Sequence, residues 1–237
     1  MKTSSDRSKI YEAALAHISH RGELDIRESA DMAEGALKEV QSIVSSISSE
    51  TGISTAKVFL AIEAIANGSD PQTVARFLSW REMEDFVAEA CRRAGFLCRT
   101  GFRFSVEGKK GEVDVLAAGS SICLAVDCKR WSKRLSGKTL REIVEKSLHR
   151  TKLLKNYLER RFGGDHLVFL APVVISLYEP SERVVSGVFV VPVHSIRGFL
   201  TSVENVLAGA VYSAYLKPVW ATWLERDNLN QSLEKWR

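Results

Sequence analysis

The sequence has little cysteine and no long apolar run, and each shortage removes a class of protein. None of its apolar stretches reaches the ~18 residues that a membrane-spanning helix requires, so no membrane partner is expected. The opening residues, MKTSSDRSKIYEA, contain no apolar core of a secretory signal. The expectation is an intracellular, cytoplasmic chain. The four cysteines, Cys91, Cys98, Cys123 and Cys128, are too few for a disulfide scaffold in 237 residues, and no C-x-x-C pair occurs. Zinc and iron–sulfur sites are therefore disfavoured, and the thiols are read as small buried hydrophobes. Internal repeats and low-complexity tracts are also absent from the sequence.

What is present is the composition of an ordinary globular protein, 45% apolar and 26% charged. The formal net charge of +4 is unevenly spread. Residues 1–80 hold 8 Lys/Arg against 11 Asp/Glu, whereas residues 129–161 hold 12 against 3. A run of that kind is often only a solvated helix face. Beside a carboxylate cluster it suits contact with a polyanion.

Apolar periodicity predicts helices over 8–20, 27–49 and 55–66, the last with Ser54 as N-cap and Asn67-Gly68 as its end. Ser69-Asp70-Pro71 opens a further helix. Residues 1–79 thus read as a helical accessory domain, with only a weak helix-turn-helix pattern. From Trp80 the character changes. An amphipathic helix over 80–94 stops at Gly95. Strands over 96–106, 112–117 and 122–129 follow, separated by turns at Gly108-Lys109-Lys110-Gly111 and Gly119-Ser120-Ser121, which suggests an antiparallel meander. A basic helix over 138–161 leads to apolar strands at 167–177 and 187–193. Residues 80–198 are therefore an α/β domain, a mixed central sheet flanked by helices. Residues 199–237, rich in Trp, read as a helical C-terminal extension.

The stretch GEVDVLAAGSSICLAVDCKRW, residues 111–131, sets Asp114 and Asp127 in otherwise apolar strands. Side chains alternate along a strand, so Asp127 and Lys129 share a face with Ala125, while Leu124, Val126 and Cys128 face the other way. Likewise Val113 and Val115 oppose Asp114. Antiparallel pairing brings Asp114 towards Asp127 and Lys129. Two crowded carboxylates repel unless a cation joins them. Mg²⁺ takes one or two carboxylates and keeps water or phosphate oxygens as its other ligands.

This arrangement resembles the PD-(D/E)xK nuclease superfamily, the restriction-endonuclease-like fold, and is similar to Mrr-type endonucleases and archaeal-type Holliday-junction resolvases. The matching residues are Asp114 as the first acid and Asp127-Cys128-Lys129 as the D-x-K element. Upstream, MEDFVAEACRRAGF resembles the family's first helix, with Glu84 as its acid before Gly95-Phe96. The family's proline before the first acid is replaced by Val113. The resemblance covers about residues 80–195. It implies a DNA endonuclease dependent on Mg²⁺, with Mn²⁺ as a substitute, acting in repair, recombination or restriction. Asp114, Asp127, the Cys128 backbone carbonyl and Glu84 would hold metal, and Lys129 would be catalytic. Arg130, Lys133, Arg134, Lys138, Arg141, Lys146 and Arg150 would contact DNA. A homodimer and a protein partner for the N-terminal helices are further expectations. The alternative is an inactive nuclease fold that binds DNA or a helicase. Glu112 is expected to be a solvent-exposed residue, with Glu82 and Glu89 as rivals to Glu84.

Overall fold

The computed structural model describes residues 4–21, 40, 42, 44–45, 52–129, 134–206 and 212–224. The chain divides into two compact units, Met1–Phe86 and Val87–Arg237. Most of the helix expected over 27–49, and the tail beyond residue 224, lie outside the described residues.

In the first unit, helix α1 (Ser4–Arg21) packs on α2 (Ile53–Ala66). Their contact is apolar, with Ala14, Leu15 and Ile18 on one side and Ala56, Leu60, Ala61 and Ala64 on the other fully buried. The short α3 (Pro71–Ala75) starts as expected, since the Asp70 carboxylate accepts from Thr73 N–H at 2.8 Å and Pro71 occupies the first turn. Ser54 departs from expectation. Gly52, at φ 90°, holds the cap position of α2, and the Ser54 hydroxyl instead donates to Glu82 at 3.2 Å. Glu82 belongs to α4 (Trp80–Arg93), which carries the chain from the first unit into the second.

The second unit is built on a seven-stranded sheet in the order β1-β2-β3-β4-β6-β5, with β7 also paired to β4. The strands are β1 (Leu97–Val106), β2 (Lys109–Ala118), β3 (Ile122–Lys129), β4 (Gly163–Ser176), β5 (Val184–Val185), β6 (Val188–Pro192) and β7 (Tyr212–Leu216). The first three form the expected antiparallel meander. Their first turn falls on Glu107-Gly108, both at positive φ (52° and 73°), which is the backbone a two-residue hairpin needs. Lys109 and Lys110 are therefore strand residues, opposite Val106 and Ser105.

From β3 the chain crosses through α5 (Gly137–Phe162) to β4, which pairs parallel with β3. A parallel pair requires such a crossover. With neighbours on both edges and cover on both faces, β3 is buried along nearly its whole length, hence its unbroken apolar run. After β6, α6 (Ile196–Val206) is the only helix of four residues or more described beyond residue 195. Helix was expected over most of 199–237, but Tyr212–Leu216 is a strand along β4, with Ala214 and Leu216 buried and Ser213 and Tyr215 exposed. That period-two alternation is too short to stand out from sequence. Trp220 and Leu224 then complete the apolar cluster between the sheet and α5.

Candidate active site

The β2–β3 ladder runs from Ala118↔Cys123 to Val115↔Val126 and stops there. Continued, it would set Asp114 opposite Asp127 and Val113 opposite Cys128. Instead the Asp114 carboxylate accepts the Cys128 N–H at 2.7 Å, taking the role of the next backbone carbonyl. On its other edge β2 keeps its register with β1, from Thr100↔Val115 to Phe102↔Val113, but Gly101, across from Asp114 between those pairs, sits at φ 56°. A left-handed residue there interrupts the extended backbone. The strict alternation expected of β2 ends at the same point, because Val113 joins the apolar cluster with Phe102 and Leu154. Asp114 thus marks where β2 and β3 part. An extended residue points its N–H and C=O to the same edge, so the Cys128 carbonyl is turned to Asp114's side as well.

Asp127, only 3% exposed, lies at the buried end of β3. Lys129 Nζ stands 3.5 Å from its Oδ1, and Arg150 Nη1 donates to the same oxygen at 2.5 Å. The helix explains this second partner. Cys123, Ala125 and Asp127 follow one another on one face of β3, about 6.7 Å apart. Leu158, Leu154 and Arg150 follow one another along one row of α5, about 6 Å apart. The leucines cover the small residues in the core cluster, and the next step of each row brings Arg150 to Asp127. Arg150 also reaches the carbonyl of Glu112 at 3.4 Å and that of Lys146 at 3.4 Å. Arg150 was expected among the DNA contacts, and counting charge along the helix hid this partner. The row Arg150-Leu154-Leu158 was the signal, since a residue four before a buried leucine faces the same way.

Burial raises the Asp114 carboxyl above its ordinary pKa, the Cys128 N–H draws it down, and the charge of Asp127 raises it again, with Lys129 and Arg150 pulling the other way. The direction is that of a carboxylate whose burial and like-charged neighbour outweigh the one N–H and the two cations that favour its ionised form.

Among the remaining candidates, Glu112 is exposed and paired with Arg103 at 3.0 Å directly across the strands, as expected. Glu84 is half-buried on α4, in the first unit. Its rivals have other work. Glu89 pairs with Arg92 and Arg93 on the surface. Glu82 receives the Ser79 N–H at 2.6 Å and Lys57 at 2.7 Å. Of the basic residues, Lys138, Arg141 and Lys146 are exposed on α5, Lys138 beside Glu142 at 3.8 Å. Arg134 holds the Pro180 carbonyl at 3.2 Å. Arg130 and Lys133 lie outside the described residues.

Among the described residues no three His, Cys, Asp or Glu side chains gather as a metal cluster. The available donors are two carboxylates and the Cys128 carbonyl, all oxygen. That set fits Mg²⁺ or Mn²⁺, which take few protein ligands when phosphate and water supply the rest, and it does not fit zinc.

The family model Mrr_cat, described as a restriction endonuclease, matches residues 75–154, a span that contains Asp114, Asp127, Lys129 and Arg150. An uncharacterized protein of Archaeoglobus fulgidus is 33% identical over 132 residues, which are 55% of this chain and 96% of that protein. Two solved structures are similar to parts of the chain. The protein of unknown function AF1548 has a TM-score of 0.31 at 18% identity, over 42% of this chain and 47% of its own. Protein VC1899 from Vibrio cholerae has a TM-score of 0.39 at 9% identity, over 86% and 56%. The chain thus spans about half the length of these two proteins.

Proposed function

The chain belongs to the PD-(D/E)xK, restriction-endonuclease-like superfamily, and from that nuclease-type assignment we propose that it is a divalent-metal-dependent endonuclease hydrolysing phosphodiester bonds in DNA. One observation carries this reading: at the point where β2 and β3 part, the Asp114 carboxylate stands beside the Cys128 backbone, next to Asp127 and Lys129.

Asp114, Asp127 and the Cys128 carbonyl would hold Mg²⁺ or Mn²⁺. The bound ion would supply charge stabilisation at a phosphate oxygen and a more acidic water. The chain's own contributions follow from its geometry. The strand end keeps the two carboxylates at fixed spacing, because Asp114 is tied to Cys128 N–H and Asp127 is buried. Lys129, projecting beside Asp127, would orient the attacking water and face the negative charge carried by the phosphoryl oxygens in the transition state. Attack forms a new P–O bond as the P–O bond to the leaving sugar oxygen breaks. The water's proton leaves to solvent and the leaving oxygen gains one. Lys138, Arg141 and Lys146, exposed on α5, would neutralise backbone phosphates and thereby position DNA without reading its sequence.

The non-catalytic reading has one observation in its favour, the pairing of Arg150 with Asp127. The test is cleavage of labelled duplex, single-stranded, flapped and four-way DNA by the purified chain with Mg²⁺ or Mn²⁺, against Asp127→Asn. Metal-dependent products from the wild type alone are expected. No cleavage of any substrate with either metal would contradict the enzyme reading.

A further inference from the structure

We propose that Arg150 is an exchangeable counter-ion of the site. It holds Asp127 until a divalent metal and DNA arrive together, and its guanidinium then passes to the phosphate being cleaved. This rests on the nuclease reading above and adds to it a residue that couples metal binding to substrate binding.

The charges set the problem. Asp114 and Asp127 bring two negative charges and Lys129 and Arg150 bring two positive ones, so the described site is balanced. A divalent ion added while Arg150 stays would leave an excess of positive charge in a shielded place, which is unfavourable. The excess is relieved when Arg150 leaves Asp127 and a phosphate brings negative charge. A protein that keeps Arg150 should therefore bind metal weakly alone and more strongly with DNA, and by linkage the reverse also holds.

The geometry suits a residue that moves. Arg–carboxylate pairs built to stay are frequently bidentate. Here only one guanidinium nitrogen bonds one carboxylate oxygen, and the other described contacts are two backbone carbonyls at 3.4 Å. The Arg150 side chain is 25% exposed against 4% for that of Asp127, so the arginine is the partner with a way out. That way leads into an open depression of about 470 Å³ lined by Glu145, Lys146, His149 and Arg150. Lys146 stands on its wall one helical turn before Arg150, so a phosphate entering there meets both cations. A guanidinium suits this transfer because its planar fork bonds carboxylate and phosphate alike.

The experiment measures Mn²⁺ affinity of the full chain without DNA, together with single-turnover cleavage of a duplex. It compares wild type, Arg150→Met and Arg150→Lys, with folding checked by circular dichroism. The proposal expects Arg150→Met to bind Mn²⁺ about ten- to a hundredfold more tightly than wild type yet to cleave more slowly. Arg150→Lys, which keeps the charge but loses the fork, should fall between them and serves alone if the Met variant does not fold. A merely structural arginine would not give tighter metal binding on removal. Mn²⁺ affinity unchanged or lowered in the folded variants, with wild-type cleavage intact, overturns the counter-ion role and leaves the nuclease reading standing. Absence of both Mn²⁺ binding and cleavage in every protein overturns the two together.

Discussion

Glu82 at the start of α4 and Asp114 at the parting of β2 and β3 are both carboxylates shielded from water, and the chain surrounds them in opposite ways. Burial alone would raise the pKa of each. At Glu82, hydrogen bonds from Lys57 and from Ser79 outweigh that burial and hold the carboxyl below its ordinary value. The Ser79 hydroxyl meets the Glu82 N–H at 3.4 Å in return, which makes a reciprocal cap for the helix. At Asp114 a single backbone N–H is outweighed by burial and by Asp127, and the carboxyl stays above its ordinary value. The first acid has its full set of partners and contributes to folding. The second has one backbone N–H to set against its burial and the charge of Asp127, so its ionised form is the less favoured one, which suits the metal-ligand role proposed for it. Burial of an acid therefore says little about its role; the partners around it decide.

The sharpest way to break this contrast is at the strand end. Asp127→Asn or Asp114→Asn should lower DNA cleavage at least about a thousandfold, because on the proposed mechanism each removes a metal ligand worth several kcal/mol in the transition state. The folded structure, checked by circular dichroism, should persist. Retention of wild-type rates by either variant would remove the distinction between the two acids. Next in size, Lys129→Ala should slow the single-turnover step about a hundredfold or more, with DNA affinity nearly unchanged. If affinity and rate fell together, Lys129 would be a phosphate contact only.

The contrast reverses for stability. Glu82→Ala removes a helix cap and leaves Lys57 without this partner, at a cost of about 1–3 kcal/mol, measurable by urea denaturation. Because the folded pKa of Glu82 is lowered, its stabilisation is complete above the ordinary carboxylate pKa and is lost as pH falls through the folded value. The destabilisation by Glu82→Gln should therefore shrink in acid. Asp114 has the opposite sign. Its folded pKa is raised, so the ionised group costs stability above that value, and the cost fades as pH falls to the ordinary one. Asp114→Asn, which keeps an oxygen for the Cys128 N–H, should melt at or slightly above the wild-type temperature at neutral pH and match it in acid. A clear loss of stability at neutral pH would show that Asp114 is a structural acid after all. The smallest effect concerns α5. Replacing Lys138 and Arg141 by Gln should lower the log–log salt slope of DNA binding by roughly 0.9 for each phosphate no longer neutralised.

The β2–β3 hairpin and its D-x-K end were legible because apolar runs ending in charged residues are rare and the strand period is short. The basic helix and the two later strands were legible for the same reason. Three features were not. The Glu107-Gly108 turn was displaced because Lys109 and Lys110 look like loop residues, although they continue the ladder. Strand β7 was hidden by its length and by the aromatic residues around it. The pairing of Arg150, expected among the DNA contacts, with Asp127 was hidden because charge was counted along α5 without its helical rows, although Leu154 and Leu158 on the same row are buried. For β7 and Arg150 the missing information was a pairing made by distant parts of the chain, which local pattern does not carry.

The most direct measurement sets a carboxylate of the strand end, Asp127, beside Glu82. Asp127→Asn and Glu82→Gln, both verified as folded at the assay temperature, are given the same DNA with Mg²⁺ or Mn²⁺ under single-turnover conditions. Cleavage abolished in the first and near the wild-type rate in the second is the expected result. Wild-type cleavage by Asp127→Asn, or an equal loss in both variants, would contradict the placement of the active site at the parting of β2 and β3.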